Sequence, residues 1–156
     1  MLYTHNCGEL SKEDVGQQVS LCGWADQVRT FGKIGFLRIK DRNGSTQVFL
    51  KPALASEFGE LRKGSVIKVN GEVKERPDKD KRDEPAGDIE VKAESIEVLQ
   101  EIPALPLDEN ATEETRLKYR YLDLRSDFMT KNIVLRHNVV KAIRDFLDKE
   151  GFLEVE

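Results

Sequence analysis

Between residues 34 and 40 apolar and polar side chains alternate as Phe36, Leu37, Arg38, Ile39, Lys40, and Asp41-Arg42-Asn43-Gly44 follows at once. Alternation with period two sends successive side chains to opposite faces of a strand. Asn-Gly tolerates positive φ and favours a tight hairpin turn. The spacing therefore predicts a strand over 34–40, a turn at Asn43-Gly44 and a returning strand over 45–50. Leu37 and Ile39 are expected to pack a core, while Phe36, Arg38 and Lys40 share the other face.

Three more segments carry strand patterns. Residues 19–28 are rich in β-compatible side chains around Trp24; 66–73 alternate Ile67, Val69 and Gly71 with Lys68 and Asn70; and 89–99 carry Ile89, Val91 and Ala93, then Ile96 and Val98. Over 53–62, Leu54, Phe58 and Leu61 fall at helical spacing, and Gly64 is expected to stop that helix. Residues 74–87 read as a charged loop with two prolines. Five strands with one short helix between the third and fourth is the element order of an oligonucleotide-binding barrel, the OB fold, whose second and third strands and neighbouring loops form the binding face. Other small β-barrels share parts of that order.

A length of 156 residues allows one domain of ordinary size plus an extension. Charged residues make up 35% of the chain, well above the ~25% of typical domains, so the surface is heavily ionised. The net charge of -4 argues against indiscriminate nucleic-acid binding. Locally the balance differs: from Arg29 to Lys51 the bases Arg29, Lys33, Arg38, Lys40, Arg42 and Lys51 face the single acid Asp41, whereas 72–101 is acid-rich. That pattern fits a positive patch on an acidic body, and equally a solvated strand face without a ligand. Neither a secretory signal nor a run of ~20 apolar residues is present, so a cytoplasmic location away from membranes is expected, with Cys7 and Cys22 as free thiols. His5, Cys7, Cys22 and His137 lack the short paired spacing of a zinc site, and Gly32-Lys33-Ile34-Gly35 is not a phosphate loop; no metal or cofactor is expected within this chain.

The composition changes after Glu101. Ile102-Pro103-Ala104-Leu105-Pro106-Leu107 is too proline-broken for a regular element and reads as a linker. Thr112-Glu113-Glu114-Thr115 is expected to cap a helix running to about Tyr121. Over 131–150, Leu135, Val139, Ile143, Phe146 and Leu147 line one helical face before Gly151, and 152–156 begins a strand. A helix and a strand cannot enclose a core alone. The expected organisation is a barrel over 1–105, a linker or hinge over 106–130, and over 131–156 the truncated start of a further domain.

Several separated stretches carry a family resemblance. Tyr3-Thr4-His5-Asn6-Cys7-Gly8-Glu9-Leu10, Val15-Gly16-Gln17-Gln18-Val19, Leu21-Cys22-Gly23-Trp24 and Gly87-Asp88-Ile89-Glu90-Val91 are similar to the start of bacterial-type aspartyl-tRNA synthetases. Arg116-Leu117-Lys118-Tyr119-Arg120-Tyr121-Leu122-Asp123-Leu124-Arg125 resembles the hinge of that family between anticodon domain and catalytic domain. The last helix with Gly151-Phe152-Leu153-Glu154-Val155-Glu156 resembles the start of the first class II signature motif, a dimer-interface helix and strand. Lysyl and asparaginyl enzymes share the barrel and part of the hinge.

The resemblance implies anticodon recognition on tRNA(Asp) by part of a homodimeric ligase that joins aspartate to tRNA with ATP and magnesium, this stretch itself lacking the catalytic motifs. Residue by residue, Phe36 matches the base-stacking phenylalanine, Gln47 the reader of the middle anticodon base, and Arg29 and Glu90 further anticodon contacts. Phe31, expected in the loop before the second strand, matches a position tuning acceptance of the asparagine tRNA. The chemistry suits unpaired bases: an aromatic ring stacks, Gln donates and accepts, Glu accepts from amino or imino groups, and Arg holds phosphate or a base edge. Read alone, Phe36 is equally a core residue, and a lone Gln, Arg or Glu on a strand is ordinary surface. The family's run of arginines after the tryptophan is replaced by Ala25-Asp26-Gln27-Val28-Arg29, which predicts weak, salt-sensitive RNA binding. Two other readings use the same barrel: a free-standing single-strand-binding module and a structural assembly module.

Overall fold

The computed structural model describes residues 2–103, 105–107 and 110–155. The chain forms two compact units, Met1–Ala104 and Leu105–Glu156. In the first, strands β1 (Gln18–Phe31), β2 (Ile34–Lys40), β3 (Ser45–Leu50), β4 (Val66–Glu75) and β5 (Ile89–Gln100) close into a barrel in the order β1-β2-β3-β5-β4, with helix α1 (Pro52–Phe58) between β3 and β4. The expected five-stranded OB barrel is what the chain adopts.

Closure depends on the length of β1. Its first half, Gln18 to Trp24, pairs with β4, and its second half, Trp24 to Phe31, pairs with β2. Where the strand passes between these partners, a Cβ on Gly23 would lie 2.5 Å from the Lys40 carbonyl oxygen, so only glycine permits the approach. A parallel contact, Val48 with Val91 and Phe49 with Lys92, joins β3 to β5 and shuts the ring. Leu21, Leu37, Ile39, Val48, Ile67, Val69 and Val91 fill the interior, each fully buried. Leu37 and Ile39 therefore occupy the side that alternation assigned to them.

Three local expectations are corrected, while the β2–β3 hairpin turn falls at 41–44, between the strands expected over 34–40 and 45–50. The Asp41 carboxylate organises that connection: Oδ1 accepts from the backbone N–H groups of Asn43 at 2.7 Å and Gly44 at 3.1 Å. Oδ2 reaches back to the Cys7 N–H at 2.7 Å, which ties the N-terminal segment to the hairpin. A two-residue turn, Gly32-Lys33, joins β1 to β2, with Gly32 at φ 61° and Phe31 paired to Ile34. Phe31 is thus the last residue of β1 rather than a loop residue. Helix α1 ends at Phe58, where Gly59 lacks the propensity to continue it, and Gly64 at φ 94° serves the turn into β4, donating to the Ala25 carbonyl at 2.6 Å.

Asp41→Ala leaves three donors to find new partners, one of them on the buried Cys7. A stability loss of about 1–3 kcal/mol is expected in urea unfolding; a loss within error would show that water replaces the carboxylate. Burial, reinforced by the Asp41 charge, pushes the Cys7 thiol far above its ordinary value, so it remains protonated and unreactive.

In the second unit the expected single helix over 112–121 is two: α2 (Glu113–Lys118), capped by Thr112 accepting from the Thr115 N–H at 3.3 Å, and α3 (Arg120–Asp123). Tyr119, at φ -106° and ψ 43°, breaks the run. The buried Asp123 carboxylate accepts from Arg116 and Arg120, each at 2.8 Å, so one anion holds both segments. Helix α4 (Asp127–Lys149) starts four residues before the expected 131 and is capped by Ser126. Gly151, at φ 83°, ends it. Residues 152–155 form no strand, since a strand needs a neighbour to hydrogen-bond; instead the Phe152 N–H donates to the Leu147 carbonyl and Arg144 pairs with Glu154 at 2.7 Å. The stripe from Leu135 to Leu147 is exposed. Among the described residues no helix is long and apolar enough to cross a membrane.

Candidate nucleic-acid interface

On the face of β2 opposite the core, Phe36 and Arg38 stand in register with Phe49 and Gln47 of β3. The Phe36 ring makes T-shaped contacts with Phe49, at 5.7 Å between centroids, and with Phe31, at 6.1 Å. Such T-shaped contacts hold a ring in place while leaving part of its face open to a stacking partner. Phe36 is half-buried and Phe31 is 60% exposed.

Arg29 reaches this face through a β-bulge. The β1–β2 register slips between Ala25 and Gln27, leaving Asp26 as the extra residue; its carboxylate pairs with Lys63 at 3.3 Å. Before the bulge the odd positions Val19, Leu21 and Ala25 point inward; after it Val28 packs against the core, and Gln27, Arg29 and Phe31 point out. Arg29 lands directly across from Phe36.

The parallel β3–β5 contact brings Gln47 to Glu90, and the Gln47 amide Nε2 donates to Glu90 Oε2 at 2.9 Å. This bond orients the amide and leaves its carbonyl and second N–H for a base edge. The fourth side is the connection from β4 to β5. Arg38 donates from Nε to Ser45 Oγ at 2.9 Å and from Nη2 to Glu84 Oε2 at 2.9 Å, which joins β2 to that connection.

Together these walls enclose an open groove of about 610 Å³ that Arg29, Phe31, Phe36, Gln47 and Glu90 all line. Six basic and three acidic side chains border it, on a chain whose net charge is -4, so the groove concentrates positive potential. Four of those six cations, Arg76, Lys79, Lys81 and Arg82, are not in the basic run 29–51 but in the segment read as part of an acidic body. Arg76 is the most informative: it is 4% exposed, and its Nε has no hydrogen-bond partner. Burial first, and the nearby Arg82 charge second, pull its guanidinium below the ordinary value against the opposing effect of Glu90 and Glu84. A buried guanidinium donor left unpaired is costly and suited to an anionic or carbonyl acceptor entering the groove.

Phe49, Arg76, Arg82 and Glu84 were not singled out from the sequence. Phe49 shares strand parity with Gln47, so alternation over 45–50 carried the signal. Nothing local marks Arg76 as buried. Among the described residues, no three His, Cys, Asp or Glu side chains gather as a metal site requires.

Residues 19–99 match the family of OB-fold nucleic acid binding domains, and residues 112–156 match the class II tRNA synthetases for D, K and N. The chain is 47% identical over 160 residues to an aspartate-tRNA ligase of Thermosipho melanesiensis, covering all of this chain and 28% of the relative. It is 45% identical to an aspartate-tRNA(Asp/Asn) ligase of Thermotoga neapolitana, with the same coverage. Among solved structures it resembles asparaginyl-tRNA synthetase from Pyrococcus horikoshii, with a TM-score of 0.82 and 29% identity over all of this chain and 38% of that one. The chain thus spans under a third of the length of these curated relatives.

Proposed function

Since the chain belongs to the family of OB-fold nucleic acid binding domains, we propose that its barrel reads the anticodon loop of tRNA(Asp) as part of an aspartate-tRNA ligase. The observation that carries this reading is the convergence of the Phe36 ring, the Gln47 amide held by Glu90, and the Arg29 guanidinium on one cationic groove. An unpaired base splayed out of a loop stacks on the ring while its edge meets the amide. Phe36 supplies stacking, Gln47 reads the middle base, and Glu90 and Arg29 engage the neighbouring positions. Phe31, packed edge-on against Phe36, sits where acceptance of the asparagine tRNA would be tuned.

The whole protein, on this reading, is a cytoplasmic homodimer that activates aspartate with ATP and magnesium. Among the described residues no three His, Cys, Asp or Glu side chains gather to hold that ion, and no catalytic step is assigned to this chain. The exposed stripe on α4 suits a subunit interface.

The test is the affinity of the chain for an RNA stem-loop bearing GUC, compared at low salt with the same loop altered at its middle base. Loss of a bidentate base contact costs about 1–3 kcal/mol, so the altered loop is expected to bind at least fivefold more weakly. Equal binding would instead identify a sequence-tolerant single-strand module, the reading that the barrel and its cationic groove alone also support.

A further inference from the structure

Glu84 sits where an anion from outside would be expected. Its Oε2 accepts from Arg38 Nη2 at 2.9 Å, and its Oε1 lies 3.6 Å from Arg82 Nη1. Arg38 is held from behind by Ser45, whose hydroxyl accepts from Nε at 2.9 Å, so the guanidinium edge bearing Nη2 is aimed at the β4–β5 connection. A carboxylate gripped by guanidinium groups from two walls has the charge and spacing of two phosphodiester oxygens. Arg38 is also in register with Gln47 and shares the β2 face with Phe36, so backbone bound there would belong to the strand whose bases reach the ring and the amide.

We propose that Arg38 and Arg82, with Ser45 positioning the former, form a subsite for an RNA backbone phosphate, and that Glu84 occupies it until a phosphate displaces it. The proposal rests on reading the groove as a single-stranded RNA site. Exchange is feasible because the pair is solvent-reached: the side chains of Arg38 and Glu84 are 36% and 32% exposed, so water and salt screen their attraction. Phosphates carry no base identity. Glu84 therefore weakens every RNA by the same factor, which lowers weak, indiscriminate binding below working concentrations while the bases keep their full discrimination.

The test compares the complete chain with Glu84→Gln, which keeps the shape and removes the charge. Both the GUC stem-loop and its altered partner are expected to bind roughly three- to tenfold more tightly at ~50 mM salt, with their ratio constant. The slope of log affinity against log salt should change by less than the ~0.7 of one whole phosphate contact, because the same phosphate is neutralised in both proteins once Glu84 is displaced. Adding Arg38→Gln to Glu84→Gln should abolish the gain. Unchanged or weaker binding of both loops by Glu84→Gln overturns the proposal, because a carboxylate that merely braces the loop would behave that way. If the parent chain fails to distinguish the two loops but Glu84→Gln still tightens both, the anticodon reading falls and the phosphate subsite stands; the converse outcome leaves the reading and removes the subsite. Should neither loop bind, inorganic phosphate followed by the Nε–Hε resonances of Arg38 and Arg82 decides: tighter titration in Glu84→Gln supports the subsite, and identical titration excludes it.

Discussion

Phe36→Ala is expected to weaken binding of the GUC stem-loop by about 1–3 kcal/mol, roughly five- to 150-fold, because a base loses its stacking platform. The ring is half-buried in T-shaped contact with Phe31 and Phe49 rather than enclosed in the core. Its removal should therefore cost stability only on the scale of such ring pairs, about 0.5–1.5 kcal/mol each. Fluorescence anisotropy of a labelled stem-loop, measured well below the melting temperature of the variant, separates the two effects. Affinity equal to the parent's in a folded variant would remove Phe36 from the recognition surface.

The adjacent residue should behave in the opposite way. Leu37 is wholly buried, and Leu37→Ala is expected to cost about 2–5 kcal/mol through lost transfer energy and the cavity left behind. Against a stability of about 5–15 kcal/mol for a domain of this size, that is a large fraction. Trp24, the only tryptophan, lies in β1 of the same barrel and reports the transition in urea. A folded Leu37→Ala chain should bind RNA with an affinity close to the parent's. A loss under about 1 kcal/mol would mean that the site collapses around the smaller side chain.

Neighbours with opposite fates are what alternation over 34–40 implies, and here the sequence was a sufficient guide. Strands 34–40 and 45–50 were legible to the residue, because Gly35 to Lys40 pairs with Ser45 to Leu50 without a shift of register and each strand obeys one parity throughout. The same parity put Phe36 and Arg38 on one face before any partner was known. The family resemblance went further than pattern alone, naming Arg29, Gln47 and Glu90, which local reasoning would leave as ordinary surface.

Legibility failed wherever distant segments decide the outcome. Asn-Gly marked the turn correctly but gave no sign that the Asp41 carboxylate within it also holds Cys7, a residue 34 positions away. Residues 152–156 have strand composition, yet composition cannot provide a neighbouring strand, and 152–155 lie outside any sheet. The charged segment 74–87 looked like solvated loop, although closure of the barrel buries Arg76 within it and turns Arg82 and Glu84 toward β2.

By itself, then, the sequence determined the strands, their apolar faces, their order along the chain and the chemical types available for recognition, because these follow from short-range alternation and turn chemistry. Only the tertiary structure decided which of those groups meet. Without the bulge at Asp26, Arg29 would keep the parity of Leu21 and Ala25 and point into the core; pairing with β2 beyond the bulge turns it outward across from Phe36. Gln47 and Glu90, 43 residues apart, touch because β3 and β5 run side by side in parallel. Bulges and parallel contacts depend on partners far along the chain, so no local pattern can announce them.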